Sequence, residues 1–342
     1  MNPVPSPGRA AVITGLGGWV PPRVVTNDDL AQVLDTSDEW IRSRTGIRSR
    51  HVVDPGTATA ALAVEAGGLA LKSAGGVDVD SVIVATTTPE RLCPATAPLV
   101  ASRLGLTGVA AHDVSAVCTG FLYGLADAVG QIVAGIAKRV LLIGAEAFTT
   151  IIDPADRHTA VIFGDGAGAV VLRAGEAGEH GAIGPIVLGS DGGLADLITI
   201  PAGGSQQRST GRPAPPEEHF FRMRGREVYR HAVERVTDAA RSALNRAGWA
   251  PADVGRFIPH QANARICDTV ADDLGIAPER RASNIERVGN TAAASIPLLM
   301  ADEAAAGSLA AGDRVLLAAF GGGATWGAAT LTWPLLPAPA LQ

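Results

Sequence analysis

The 342-residue chain is 47% hydrophobic and 18% charged, with 41 glycines and only 4% aromatic residues, so it can bury a large interior built of small side chains. Its formal net charge of −6 argues against general nucleic-acid binding, which needs a basic field, and no run of 18 apolar residues is free of polar breaks, so no membrane span is expected. Cys93, Cys118 and Cys267 have neither paired nor metal-type spacing, which fits a reducing cytoplasm with no disulfide framework and no metal site.

Residues 1–9 lack an apolar signal core and read as a disordered lead-in. Ala10–Leu16 reads as a strand. Gly15-Leu-Gly17-Gly18 then begins like a dinucleotide fingerprint, but Pro21-Pro22 stands where the helix should open. Thr36-Ser-Asp-Glu39 is a capping box for a helix carrying Trp40 and Arg44. An Ala-rich helix is expected over Thr57–Ala74, an apolar strand at Ser81–Ala85 and a helix over Thr96–Leu104. Ala110–Val117 is a short apolar strand, and from Phe121 to Val133 apolar residues recur at helical spacing. Cys118 thus sits where a strand turns into a helix N-terminus. The free N–H groups and dipole there favour an anion and lower a thiol's pKa from about 8.5. The same position also suits a buried, inert cysteine.

Arg139–Gly144 is another buried strand. Phe163-Gly-Asp-Gly-Ala-Gly-Ala169 fits a loose Gly-x-Gly-x-x-Ala pattern, but a strand, Val170-Val-Leu172, follows it. These glycines therefore read as a tight turn where backbones approach closely. Ala174–Gly184 is the best linker, dividing an N-terminal half, 10–176, from a C-terminal half, 177–342. Gly203–Glu218 reads as an exposed loop. Gly225–Ala247 is a long amphipathic helix whose apolar stripe is Val228, Tyr229, Ala232, Val233, Val236, Ala240 and Leu244.

The second half echoes the first. Arg139-Val-Leu-Leu matches Arg314-Val-Leu-Leu, and Ser81-Val-Ile-Val lies opposite Arg256-Phe-Ile-Pro259, both at an offset of 175 residues. Gly164–Leu172 is echoed by Gly322–Leu331. Matches in register predict two duplicated α/β halves packed in layers. In the echo of the Cys118 stretch, Asn290 takes the cysteine's place at a turn into an Ala-rich helix. His260 stands between them, at the end of the strand Arg256–Pro259. A pseudo-twofold would gather these three junctions over strand ends, where active sites of α/β sheets collect.

Several motifs carry a family resemblance: Thr36-Ser-Asp-Glu-Trp-Ile-x-x-Arg-Thr-Gly-Ile, Cys118-x-Gly-Phe, Phe163-Gly-Asp-Gly-Ala-Gly, Pro259-His-Gln-Ala-Asn, Gly289-Asn-Thr-x-Ala-Ala-Ser and Phe320-Gly-Gly-Gly-x-Thr-Trp-Gly. From about Ala10 to Trp333 the chain resembles β-ketoacyl-acyl-carrier-protein synthase III, a thiolase-fold condensing family. The resemblance implies an αβαβα fold and a catalytic Cys118, His260 and Asn290. It implies an oxyanion hole from the backbone N–H groups of Cys118 and Gly322. Coenzyme A is expected against Thr36, Trp40, Arg44, Arg157, Gly225, Tyr229 and Asn263, although Trp40 also suits a core anchor.

Malonyl-acyl carrier protein is the implied second substrate. The basic residues Arg222, Arg224, Arg226, Arg230, Arg235 and Arg265 would form a rim for that acidic partner, with Arg230 and Arg265 as its contacts; an ordinary solvated helix face is the plainer reading of any one of them. The acyl pocket is expected at Phe163 and at Cys93, a gate supplied across a homodimer, where a small residue would admit starters longer than acetyl. No permanently bound cofactor or metal is implied, and the setting is cytoplasmic. Three alternatives stand against this: a papain-like protease, opposed by the absence of its local cysteine signature; a non-condensing acyltransferase to a hydroxyl or amine; and a non-catalytic binding subunit. Fatty-acid and aromatic-polyketide initiation both remain open.

Overall fold

A computed structural model describes residues 8–336, so all of the expected lead-in except Gly8 and Arg9 lies outside the described residues. Strand β1 (Arg9–Trp19) runs past the expected end at Leu16. A Cβ at Gly15 or Gly17 would meet the backbone at Ala70 or Ala66 of the Ala-rich helix over Thr59–Ser73. The glycines are thus places where helix and strand approach closely. Four more strands join β1: β2 (Ser81–Ala85), β3 (Ala110–Val114), β4 (Arg139–Glu146) and β5 (Gly166–Glu176). The sheet order is β1-β5-β4-β2-β3, with β4, β2 and β3 parallel and β5 antiparallel to both of its neighbours.

The second sheet repeats this plan with β6 (Ile183–Ser190), β7 (Arg256–Pro259), β8 (Arg314–Gly321) and β9 (Thr325–Thr332), in the order β7-β8-β9-β6. Its β7 and β8 are parallel and the other pairs antiparallel, as at the equivalent positions of the first sheet. A lone parallel bridge from Phe257 to Arg281 stands where β3 would have its counterpart.

Alternation along the strands builds the layers. Val140 and Leu142 of β4, with Val315 and Leu317 of β8, share one core with Phe121, Leu122, Ile296 and Leu299. Those last residues lie on two central helices, α1 (Gly120–Val133) and α2 (Ser295–Ala305). Leu141 and Ile143 face the opposite way, onto the Thr59–Ser73 and Ala97–Arg103 helices. Leu316 and Ala318 face the Gly225–Ala247 and Ala264–Leu274 helices. A period of two thus makes each sheet apolar on both faces, and the stack reads αβαβα.

Some local expectations change. The Trp40 helix begins at Asp38 with Ser37 as its cap, accepting from Trp40 N at 3.1 Å, so the box does not start at Thr36. The linker region is largely strand, since β5 runs to Glu176 and β6 begins at Ile183. Gly166 and Gly168 lie within β5 rather than in a turn; a Cβ at Gly168 would collide with Pro297 and Leu298 of α2. The exposed loop over 203–218 contains a short helix, Ser205–Arg208. Tyr229 departs from its apolar stripe, being 38% exposed.

Candidate active site

Cys118 lies on a single 3-10 turn, Val117–Thr119, between β3 and α1. Val117 has φ of 48°, a costly conformation for a β-branched residue. The same device recurs at an offset of 175 residues: Ala292 has φ of 44°, opens the turn Ala292–Ala294, and leads into α2. The two turns pack against each other at the pseudo-twofold. The true counterpart of Cys118 is therefore Ala293, and Asn290 lies three residues upstream of it, correcting the expected equivalence.

Asn290 is fixed from the first half. Its N donates to Ile162 O at 2.9 Å and its O accepts from Gly164 N at 3.0 Å. Its Oδ1 accepts from Ala292 N at 2.9 Å, and its amide nitrogen has no acceptor among the described residues. His260 follows β7, with its N donating to Ala318 O at 2.8 Å. The ring is 5% exposed and neither nitrogen has a partner among the described residues. Burial pulls this imidazole down to about 3, so it is neutral at pH 7.

Cys118, His260 and Asn290 line one apolar cavity, together with Phe163, Phe221, Met223 and Phe320. Phe148, Phe163 and Phe221 pack as a cluster with ring centroids 4.3 to 5.2 Å apart on one side of it. The loop between β8 and β9 reaches the cysteine: Thr325 Oγ1 meets Thr119 Oγ1 at 2.6 Å and donates to Gly322 O at 2.9 Å. A Cβ at Gly321 would lie 2.9 Å from Cys118 N. The Gly321-Gly322 backbone is thus held beside the N–H groups of the cysteine turn.

The thiol is not activated in the manner expected from its position. Burial raises the Cys118 pKa, the Glu146 carboxylate raises it further, and only a backbone hydrogen bond opposes them. Glu146 was missed in the sequence, where its one sign is an acid ending the apolar run of β4. It is fully buried, accepts from Thr87 N at 3.0 Å, Thr88 N at 3.1 Å and Thr88 Oγ1 at 2.7 Å, and is pushed up to about 7 by burial.

A surface groove carries Trp40, Arg44, Arg222, Gly225, Arg226 and Asn263, and Met223 lines both it and the inner cavity. The guanidinium carbons of Arg44 and Arg157 sit 4.4 and 4.9 Å from the Trp40 ring centroid, a flat, cationic shelf. Asn263 is committed to the fold, accepting from Arg265 N at 2.9 Å and donating to Arg44 O at 3.0 Å. Thr36 and Tyr229 are not brought to the groove; the Thr36 hydroxyl is buried without a partner among the described residues, and the Tyr229 hydroxyl meets Thr269 Oγ1 at 2.8 Å. Arg230 and Arg265 are exposed, the latter bonded to Ser43 O. Arg235 leaves the rim, lying over Trp326 at 4.8 Å. Cys93 is exposed and does not line the cavity of its own chain.

Comparison with known proteins agrees with this geometry. Residues 112–192 match the 3-oxoacyl-[acyl-carrier-protein] synthase III family and residues 244–333 match its C-terminal part. A β-ketoacyl-[acyl-carrier-protein] synthase III of Streptomyces coelicolor is 59% identical, over 95% of this chain and 98% of its own. The chain belongs to the β-ketoacyl-[acyl-carrier-protein] synthase III family. A synthase III crystal structure from Pseudomonas aeruginosa superposes with a TM-score of 0.90 at 48% identity, covering 96% of this chain and 99% of that one. The priming β-ketosynthase of the R1128 polyketide pathway gives a TM-score of 0.91 at 34% identity, covering 98% and 99%. The family's thiolase fold accounts for the duplicated layers. No helix among the described residues is long and apolar enough to cross a membrane.

Proposed function

We propose that this chain is a cytoplasmic, homodimeric condensing enzyme with nucleophile Cys118 in its first half, 10–176, and His260 and Asn290 in its second, 177–342. The observation that carries the reading is the buried apolar cavity where a thiol meets two neutral donors without protein partners. The thiol attacks an acyl thioester of coenzyme A, and backbone N–H groups of Cys118 and Gly322 receive the oxyanion. The leaving thiol takes a proton, and the acyl group stays on sulfur. Malonyl-acyl carrier protein then enters and loses CO2, leaving an enolate. A neutral imidazole and a carboxamide can donate to its oxygen without losing a proton. The carbanion attacks the acyl-cysteine carbonyl, the carbon–sulfur bond breaks, and the 3-ketoacyl product leaves the Cys118 thiolate, which takes up a proton to restore the thiol.

Trp40, Arg44 and Arg157 suit the adenine and phosphates, and Gly225 lines the same groove. Arg230 and Arg265 suit the acidic carrier protein, and Phe163 with a Cys93 supplied across the dimer suits the acyl end. The enzyme starts fatty-acid or polyketide chains. The test is incubation with a panel of acyl-CoAs and malonyl-carrier protein, reading adduct and product by mass. A Cys118 acyl adduct and a 3-ketoacyl product support the reading. An adduct with no decarboxylation, and transfer to a hydroxyl or amine instead, would replace condensation by plain acyl transfer.

A further inference from the structure

Arg50 is a fully buried arginine, 1% exposed, and no carboxylate pairs with it among the described residues. A buried guanidinium carries a desolvation cost that good hydrogen bonds must offset. Burial pulls it down to about 10, so it remains charged at pH 7. Its Nη1 donates to Val25 O at 3.1 Å, and its Nη2 donates to Asn27 Oδ1 at 2.9 Å and Val161 O at 2.8 Å. The Nε is unpaired.

The partners decide what this arrangement does. Asn27 is also 1% exposed, and its amide nitrogen donates to Asp38 Oδ1 at 2.8 Å and Ile47 O at 2.8 Å. Asp38 opens the helix Asp38–Thr45 and Ile47 lies just beyond its end. One carboxamide therefore brackets the whole helix that carries Trp40 and Arg44. Val161 belongs to the opposite wall of the groove, with Asp156, His158, Thr159 and Ile162. Arg50 is bonded to both walls, directly to one and through Asn27 to the other.

We infer that Arg50 is a positioning residue that sets the two walls of the nucleotide groove against each other, so that the Trp40 shelf is preformed before coenzyme A arrives. This rests on the coenzyme A reading above. A planar fork suits the task because it reaches separate acceptors in fixed directions. The stem of Arg50 has a second neighbour, since a Cβ at Gly164 or Gly289 would crowd its Cβ at 3.1 and 3.3 Å. Arg50→Met keeps that stem and removes the fork.

The experiment measures the rate of Cys118 acylation by intact mass with butyryl-CoA and with butyryl-pantetheine, which lacks the nucleotide. The wild type should prefer the coenzyme A ester. Arg50→Met should raise KM for butyryl-CoA roughly tenfold or more, the scale of a misplaced binding wall, and leave butyryl-pantetheine unchanged, so the preference collapses. Asn27→Asp, which keeps an acceptor for Arg50 but sets a carboxylate against Asp38, should do the same and serves where Arg50→Met does not fold. A folded variant that retains the wild-type preference, or one that loses both substrates equally, overturns the inference. A wild type with no preference overturns the coenzyme A reading itself, and the inference with it.

Discussion

His260 offers a test that does not depend on turnover. Its imidazole stays neutral down to about pH 3 in the folded chain, whereas an unfolded histidine takes a proton near 6.5. Between those values the unfolded state binds a proton that the folded state refuses, so stability falls as pH falls. The slope approaches about 1.4 kcal/mol per pH unit, or about 2 kcal/mol at pH 5 relative to pH 7.5. His260→Gln removes that penalty. Glu146 works the other way: its folded pKa of about 7 lies above the unfolded value of 4.5, so its contribution is lost as pH rises through that window. Both proteins carry Glu146, and it cancels in the comparison. The assay is urea unfolding of wild type and His260→Gln at pH 7.5 and pH 5.0, compared at equal slopes. The variant should gain about 2 kcal/mol on the wild type between the two conditions. An equal difference at both pH values would refute the reading of His260 as a ring held neutral by burial.

Glu146→Gln removes an anion that raises the Cys118 pKa, so alkylation of Cys118 by iodoacetamide at pH 8 should quicken; an unchanged or slower rate would contradict the coupling. Asn290→Ala should accept an acyl group normally but decarboxylate malonyl-carrier protein more slowly by ~10²–10³, and normal decarboxylation would remove the enolate role. Phe221→Ala opens the aromatic side of the cavity; it should cost about 3–5 kcal/mol of stability and shift kcat/KM toward longer acyl-CoAs, by roughly fourfold for each CH2 that becomes buried. Arg230→Glu should raise KM for malonyl-carrier protein at low salt, with self-acylation unchanged and the effect lost at high salt.

The layers and the duplication were legible in the sequence because each depends on local periodicity. Val140, Leu141, Leu142 and Ile143 alternate between two cores, and the same four-residue pattern recurs at Val315. The convergence of Cys118, His260 and Asn290 on one cavity was legible for a related reason, since each sits at a junction where periodicity changes. What the sequence hid was set by non-local packing. The N–H groups of the cysteine's own turn are local and visible in the sequence, whereas the burial and the Glu146 carboxylate that outweigh them come from distant segments. Nor could the spacing show that Arg50 joins residues 27 and 161, or that Tyr229 turns outward from its apolar stripe to meet Thr269.

The duplication also explains why the site is asymmetric. Residues of β4 and β8 correspond at an offset of 175, as do the strained turns at Val117 and Ala292. One strand later the offset has dropped: Arg139 pairs with Arg173 and Arg314 pairs with Thr332, so the offset at β5 and β9 is 159. The first half therefore has a longer connection, residues 147–165, where the second half has only the tight loop 322–324. The short loop brings Gly322 beside the cysteine turn. The long one carries Phe148, Phe163 and Arg157, and its Ile162 and Gly164 hold the backbone of Asn290 in place. A symmetric pair of turns would offer two equivalent helix N-termini. One insertion makes them different, by leaving one half a short loop packed on the cysteine turn and giving the other a wall that carries the aromatic cluster, Arg157 and the hydrogen bonds that hold Asn290.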